Sequence, residues 1–393
     1  MKELLISGWV AMAWISAYAA RQYRLLMDQH GRPQTPARCA VIVPIKGRSG
    51  TTDRFLASLR DQDHPAFRII FAVESASDPA VAAIDEAFAS APGRSETVVA
   101  GLAPSCSQKI WNMQAAIGRL RADDELVVFA DADVILPADW LAVLNWAVVD
   151  QGQEIVTGYR LILPTRASFA EVAAAASNLS VALAPRLTGL TAAWGGTMAM
   201  RRTTLDRLDL ARFWAGALSD DMQLTAAARA SNILVHTNRR ILLPSPWSGS
   251  LDDLIAFGIR QFRILRLNDA RMHFGILAFL LIPVAGFAAA VADLLAGGWL
   301  GPAGLALVMA AGLARMRLRR QIVSEALRSV PGVADPARHL DGLLIPFWWP
   351  VFLLVAIAGS FGHTIRWAGI TYRCDGPKVT AILDRQPASA GGA

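Results

Sequence analysis

Asp131-Ala132-Asp133 and Asp220-Asp221 are the residues of this sequence best suited to do chemistry. Two carboxylates one residue apart on a tight strand exit can share a hard divalent cation, Mg²⁺ or Mn²⁺. Such an ion takes oxygen ligands, usually one or two carboxylates plus substrate phosphates. The structural alternative is that the pair caps a helix starting near Pro137. The second pair follows Ser219, which could cap a helix whose dipole favours the aspartates. The chemical alternative is that Asp221 deprotonates an attacking hydroxyl. The preceding run Trp194–Arg201 favours chemistry, because Gly195-Gly196 lets backbone approach a ligand closely. Lysine is scarce: among 38 basic residues only Lys2, Lys46, Lys109 and Lys378 are lysines, and two of them stand in the same polar region as the aspartates.

A third element is the stretch Ser250–Arg271. Wound as a helix, it puts Leu251, Leu254, Ile255, Phe257, Phe262 and Leu265 on one arc and Arg260, Arg263 and Arg266 on the opposite one. This is the pattern of an interfacial helix. Its arginines suit lipid headgroups or a diphosphate equally, since planar guanidinium matches phosphate.

These residues need a scaffold that gathers them. Short β-rich runs at Ala40–Pro44, Arg68–Val73, Thr97–Ala100 and Leu126–Ala130 alternate with helical spacing at Thr52–Gln62 and Pro79–Ala89. That alternation predicts an α/β domain with a mainly parallel sheet flanked by helices. In such sheets ligands bind beyond the carboxyl ends of the strands. Pro44, Lys46 and Gly47 follow the first strand, Glu74 and Asp78 the second, and Asp131 and Asp133 the fourth, with Lys109 opening a helix just before it. Two lysines and several acids at one edge suit a phosphorylated ligand held by a divalent cation.

The composition says what surrounds the domain. Of 393 residues, 54% are hydrophobic and 18% charged, against about 45–50% and about 25% in soluble domains. Mean hydropathy is +0.36. Membrane segments plus a polar domain are implied, and a disordered chain or a disulfide scaffold is excluded. Three scattered cysteines and six unclustered histidines offer neither a disulfide framework nor a zinc site. The expected organisation is an N-terminal anchor (1–24), a catalytic domain (36–248), an amphipathic interfacial helix (249–272), a C-terminal transmembrane region (273–365) and a tail (366–393). Leu4–Ala20 is the anchor. Gly275–Leu295 and Trp299–Ala314 form a hairpin of spans, and Gly342–Gly362 either spans, re-enters or lies at the interface. Arg21, Arg24, Arg32 and Arg38 after the anchor, and the cluster Arg315–Arg320 after the hairpin, place the domain in the cytoplasm by the positive-inside rule. The arginine bias fits a GC-rich bacterium, hence a multi-pass protein of the inner membrane. A fourth span would put Arg366, Arg373 and Lys378 outside, against the rule.

The ordered set resembles the membrane-bound GT-A glycosyltransferases of the family 2 and family 21 type, above all the ceramide glucosyltransferase-like branch. The matching pieces are Val41–Pro44, Val73–Pro79, Ser107–Met113, Ala130–Asp133, Gly195–Arg201, Ser219–Asp221 and Arg260–Arg266. Together they cover roughly residues 38 to 270, and Ile365–Arg373 adds weaker likeness. The resemblance implies a GT-A, Rossmann-like fold with one N-terminal and two to three C-terminal transmembrane helices. It implies that Pro44, Lys46, Glu74, Lys109 and Asp131 bind the nucleotide sugar, and that Asp133, with Asp131 beside it, holds Mg²⁺ or Mn²⁺. Asp221 would be the base, and Arg263 and Arg266 would stabilise the leaving phosphate. The family's tryptophan after the last arginine is Leu267 here, which leaves acceptor contacts open. The implied reaction is an inverting transfer of a hexose from a UDP-sugar to a membrane lipid hydroxyl, with ceramide ahead of hopanoids and glycerolipids. A processive polysaccharide synthase would need more spans and an intact tryptophan. A non-catalytic nucleotide-sugar-binding protein would not need both acid pairs. Nucleic acid is not an expected partner.

Overall fold

The computed structural model describes residues 1–28, 31, 33–184, 191–328, 330 and 345–386. The chain opens with helix α1 (Lys2–Met27). The α/β domain then runs β1 (Cys39–Pro44), α2 (Gly50–Arg60), β2 (Phe67–Val73), α3 (Pro79–Phe88), β3 (Ser95–Val99), α4 (Gln108–Ile117), β4 (Leu126–Ala130) and α5 (Trp140–Asn145). It continues through β5 (Ile155–Pro164), α6 (Phe169–Ala182), β6 (Thr197–Arg201), α7 (Arg202–Arg207), α8 (Leu210–Trp214), α9 (Asp220–Ala230) and β7 (Val235–Trp247). After it come α10 (Leu251–Asn268), α11 (Ala270–Leu295), α12 (Leu300–Leu327) and α13 (Ile345–Gly359). Three strands close the described chain, β8 (Thr364–Trp367), β9 (Ile370–Asp375) and β10 (Lys378–Arg385).

The seven-stranded sheet has the order β3-β2-β1-β4-β6-β5-β7. All neighbours are parallel except β6, which is antiparallel to β4 and β5. The expected GT-A-type architecture, a mainly parallel sheet between helices, is therefore the one observed. The apolar runs are why. Val41, Val43, Ile69, Phe71 and Val128 pack on one face against α2, α3 and α5. Ala40, Ile42, Ile70 and Phe129 pack on the other against α4, α8 and α9. Strands buried on both faces read as unbroken apolar runs rather than as alternation.

Helices α1, α11 and α12 pack on one another, with Trp9 from α1 edge-on to Phe287 of α11 at 5.6 Å. Gly286 lies against Trp9 so closely that a Cβ there would sit 2.4 Å from the Trp9 Cβ. Among the described residues two helices are long and apolar enough to cross a membrane, Lys2–Met27 and Ala270–Leu295. Trp14, Ile15 and Tyr18 of the first, and Phe279, Leu281 and Ile282 of the second, are exposed.

Several expectations change at this level. The hairpin's second helix does not stop at Ala314. It runs to Leu327, so the Arg315–Arg320 cluster lies inside α12. The reason is packing: Ile322, Val323 and Ala326 join Tyr23, Met27, Leu161 and Leu163 in one buried cluster against the domain. The segment expected to be a tail is an antiparallel sheet, order β10-β9-β8, in which Ile365, Ile370, Tyr372 and Cys374 bury with Leu218 and Leu267. The apolar segment beginning at Gly342 enters the described residues as α13, of 15 residues. Arg32 lies outside the described residues, as do residues 342–344 of that segment.

Candidate active site

The carboxyl edge of the sheet is built by four approaches. Strand β4 ends at Ala130, and the next turn projects Asp131 and Asp133. That turn is pinned on both sides: the Asp131 N–H donates to the Gly196 carbonyl at 3.4 Å, and the Ser245 hydroxyl donates to the Asp133 carbonyl at 2.7 Å. Because β6 is antiparallel to β4, its start lies at the same edge, Thr197 facing Ala130. Gly195-Gly196 therefore arrives beside the first acid pair. The loop before α9 brings the second pair, and Ser107 caps α4, whose first turn carries Lys109.

Lys109 is the centre of the cluster. Its Nζ is 2.7 Å from Asp131 Oδ1 and 3.0 Å from Asp220 Oδ2. A Cβ on Gly195 would lie 2.7 Å from that Nζ and 2.9 Å from Asp220 Oδ2, so only glycine fits against the pair without displacement. Burial works against the lysine's charge, but Asp131, Asp220 and Asp221 outweigh it and hold the ammonium above its ordinary range. The acids go the same way for the opposite reason. Burial raises Asp131, Lys109 opposes it, and Asp133 and Asp220 add to it. Burial likewise raises Asp220, with Asp221 adding to it. In both, the largest cause is burial, which disfavours the charged form.

Asp133 is exposed and pairs with Arg160 of β5. Burial opposes the Arg160 charge, and Asp133 and Asp131 outweigh it. Among the described residues no three or more His, Cys, Asp or Glu side chains form a metal cage. The oxygen-only pair Asp131 and Asp133 fits a hard cation completed by ligand phosphates, as expected for Mg²⁺ or Mn²⁺.

Asp220 and Asp221 differ. Asp220 is 1% exposed at its side chain and is neutralised by Lys109. Asp221 is half-buried. Its Oδ2 accepts the Gly195 N–H at 3.1 Å, and its Oδ1 accepts the Ser219 hydroxyl and, at 2.7 Å, the Met222 N–H. Ser219 thus gives its hydroxyl to Asp221 and does not cap α9 with its side chain.

The remaining expected residues divide. Pro44 ends β1, and Lys46 lies 3.5 Å from Glu74, whose Oε2 is buried without a hydrogen bond. Lys46 also donates to the Gln386 carbonyl at 3.1 Å. Asp78 is structural: its Oδ1 accepts the N–H groups of Gly47 at 2.8 Å and Ala80 at 2.9 Å, which caps α3 and closes the β1 loop. Arg263 and Arg266 do not meet the aspartates. They donate to the Thr364 carbonyl at 2.7 Å and the Gly362 carbonyl at 2.5 Å, so they hold the loop entering β8. Burial works against the charge of Arg260 of α10, Arg160 adds to that effect, and Asp133 opposes it.

Two contributors escaped the sequence reading. Arg160 is one guanidinium in an arginine-rich chain, inside an apolar strand, and nothing local marks it. The C-terminal sheet is the other. Arg385 donates to the Gln108 side chain at 2.9 Å and the Ala103 carbonyl at 2.6 Å. The Gln108 N–H donates to the Tyr372 hydroxyl at 3.1 Å, and the Trp367 ring lies 5.8 Å from Lys109 Nζ. The Ile365–Arg373 likeness was the available signal.

The carboxyl edge of the mainly parallel sheet thus joins a strand-exit acid pair to a second acid pair and a lysine. The chain belongs to glycosyl transferase family 21, whose sequence pattern matches residues 7–378. No curated protein matches it in sequence. Among solved structures it is similar to the mannosyltransferase PcManGT from Pyrobaculum calidifontis, in complex with GDP-Man and Mn²⁺. The identity is 16% and the TM-score 0.49, over 92% of this chain and 98% of that one. It is also similar to S. aureus TarS 1-349, at 14% identity and TM-score 0.37, over 88% of this chain and all of that one.

Proposed function

We propose that the protein moves a hexose from a nucleotide sugar, a UDP-hexose first, to the hydroxyl of a membrane lipid, with inversion at the anomeric carbon. The observation that carries this reading is the convergence of Asp131, Asp133, Lys109, Asp220, Asp221 and Gly195 at one sheet edge. Lys46, Glu74 and Pro44 line the nucleoside side of that edge, at β1 and β2. Asp131 and Asp133 would hold Mg²⁺ or Mn²⁺, and the ion would supply charge neutralisation to a departing diphosphate.

Asp221 is the base. It is the accessible member of its pair, and three donors fix its orientation. The acceptor hydroxyl gives its proton to Asp221, and its oxygen bonds to the anomeric carbon. The bond from that carbon to the diphosphate oxygen breaks, and its electron pair leaves with the nucleoside diphosphate. One displacement gives inversion. Asp220 does not serve as the base, because it neutralises Lys109 deep in the site.

The lipid acceptor rests on the position of the domain. In this reading α1 and the α11–α12 hairpin cross the bilayer, and the amphipathic α10 packs on α11. Arg263 and Arg266 serve the site by fixing the loop that presents Trp367 over Lys109. Ceramide leads, with hopanoids and glycerolipids as alternatives.

The test uses membranes holding the full chain, labelled UDP-hexoses and mixed lipid acceptors. A metal-dependent glycolipid should form and should disappear with Asp221→Asn at equal expression. Product that persists in that variant would remove the base. Turnover surviving chelation would remove the metal.

A further inference from the structure

We propose that Arg160 is a phosphate-binding residue of the donor site, released from Asp133 when the divalent cation binds. The proposal rests on the nucleotide-sugar reading above and adds to it a residue outside every motif considered.

Three observations carry it. First, the two carboxylates suited to a cation already hold cations, Lys109 on Asp131 and Arg160 on Asp133. A divalent ion on these oxygens must displace or share those partners. The two cannot respond alike. Lys109 retains Asp220 at 3.0 Å and stays neutralised. For Arg160, Asp133 is the direct ion-pair partner and Asp131 acts from farther away, so a cation arriving on both strands the guanidinium.

Second, Arg160 is poised for another anion. Its side chain is 17% exposed, and its Nε is buried without a hydrogen-bond partner. A planar fork with an unused N–H is a bidentate receptor for phosphate oxygens. Arg260 stands close enough to both Arg160 and Asp133 for the charges to be felt. Two guanidiniums facing one acid repel each other once that acid is taken by a metal, and an incoming anion relieves the repulsion.

Third, the sheet order says which part of the donor Arg160 meets. Strand β5 lies on the far side of β4 and β6 from β1 and β2. A nucleoside at Lys46 and Glu74, with its phosphates passing Asp131 and Asp133, turns its terminal phosphate toward β5. Arg160 should therefore read the distal phosphate and not the one next to the ribose.

The experiment uses the full chain in detergent, with Arg160→Met and Arg160→Lys. Mn²⁺ binding without nucleotide is measured by electron paramagnetic resonance. UDP, GDP, UMP and GMP binding at saturating Mn²⁺ is measured by calorimetry. In Arg160→Met, Mn²⁺ alone should bind several-fold more tightly, because a competing guanidinium is gone. The preferred diphosphate should weaken by about tenfold or more, the worth of a charge-assisted hydrogen bond, while its monophosphate is unchanged. Unchanged monophosphate binding also reports a folded pocket, and Arg160→Lys should recover part of the diphosphate affinity. Equal diphosphate affinity in wild type and Arg160→Met overturns the proposal. So does a parallel loss of mono- and diphosphate in both variants, which marks a structural arginine. If the wild type binds neither UDP nor GDP with Mn²⁺, the nucleotide-sugar reading itself falls.

Discussion

At the scale of single residues, the site is a balance of charge in a confined space, and its tolerances follow. Gly195 has no room for a methyl group, since a Cβ would press on the Lys109 ammonium and Asp220 together. Lysine can flex, but flexing breaks contacts at 2.7 Å and 3.0 Å that neutralise a half-buried and a buried carboxyl. Gly195→Ala should therefore cut turnover by roughly tenfold or more, with a melting temperature near that of wild type. A large fall in melting temperature with proportionate activity would show a packing role instead. Asp133 is the exposed acid and should tolerate loss structurally. Asp133→Asn should raise the Mn²⁺ needed for half-maximal activity by more than tenfold, in the range that one charged ligand contributes, and excess Mn²⁺ should recover part of the rate. Asp131 and Asp133 were legible because they stand directly after an apolar strand, Lys109 because lysine is rare in this chain, and the second acid pair and the paired glycines because like residues stand side by side. Arg160 and Arg260 were not, because arginine is common here and charge complementarity appears only in three dimensions. Arg263 and Arg266 were placed at the phosphate by resemblance, and the loop at Gly362 and Thr364 claims them instead.

At the scale of elements, legibility followed burial. Strand β4 matches its expected bounds of Leu126–Ala130, and β1 and β2 differ from theirs by one residue. These are central strands with both faces covered, so their sequences are unbroken apolar runs. The C-terminal strands are short and covered on one side, so Lys378–Arg385 mixes exposed and half-buried residues. Helix α6 shows how a single buried acid can fix an element. Glu171 is fully buried and accepts from the Thr165 N–H at 2.7 Å, the Arg166 N–H at 2.8 Å and the Thr165 hydroxyl at 3.0 Å. It thereby ties the end of β5 to the start of α6. Burial alone would raise its carboxyl, but these donors outweigh burial and hold it below the ordinary carboxylate range. A carboxyl lowered by folding stabilises fully above its unfolded value, and that contribution fades as pH falls through the folded one. Glu171→Gln should therefore cost about 2 kcal/mol at neutral pH, read as a lower melting temperature in detergent. The gap between wild type and variant should narrow below about pH 4. A gap independent of pH down to that range would mean that shape, not charge, holds the turn.

At the scale of the whole molecule, the C-terminal sheet decides the topology that composition left open. It is bonded to the α/β domain through Arg385, Tyr372 and Lys46, and the Leu218 N–H donates to the Pro377 carbonyl at 3.1 Å. Domain and sheet must therefore share one side of any membrane. Helix α13 leads directly into that sheet. It also packs on α10 and α11, with Phe262, Leu280 and Leu353 in one cluster. With strands tied to the domain directly after it, α13 should lie in or re-enter the interface. This reading removes the conflict with the positive-inside rule, because Arg366, Arg373 and Lys378 then stay with the domain. Native Cys39, Cys106 and Cys374 are all buried, so introduced cysteines can be labelled against a low background. Glu86→Cys reports the domain, Thr380→Cys the C-terminal sheet, and Ala296→Cys the turn between α11 and α12, all three positions being exposed. A membrane-impermeant maleimide on sealed cells should label only Ala296→Cys. On inverted vesicles it should label the other two and leave Ala296→Cys untouched. Labelling of Thr380→Cys from outside would mean that the chain crosses once more and that the sheet leaves the domain. Labelling of all three from one side would mean that α11 and α12 do not cross, and that the acceptor reaches the site from the surface of the bilayer.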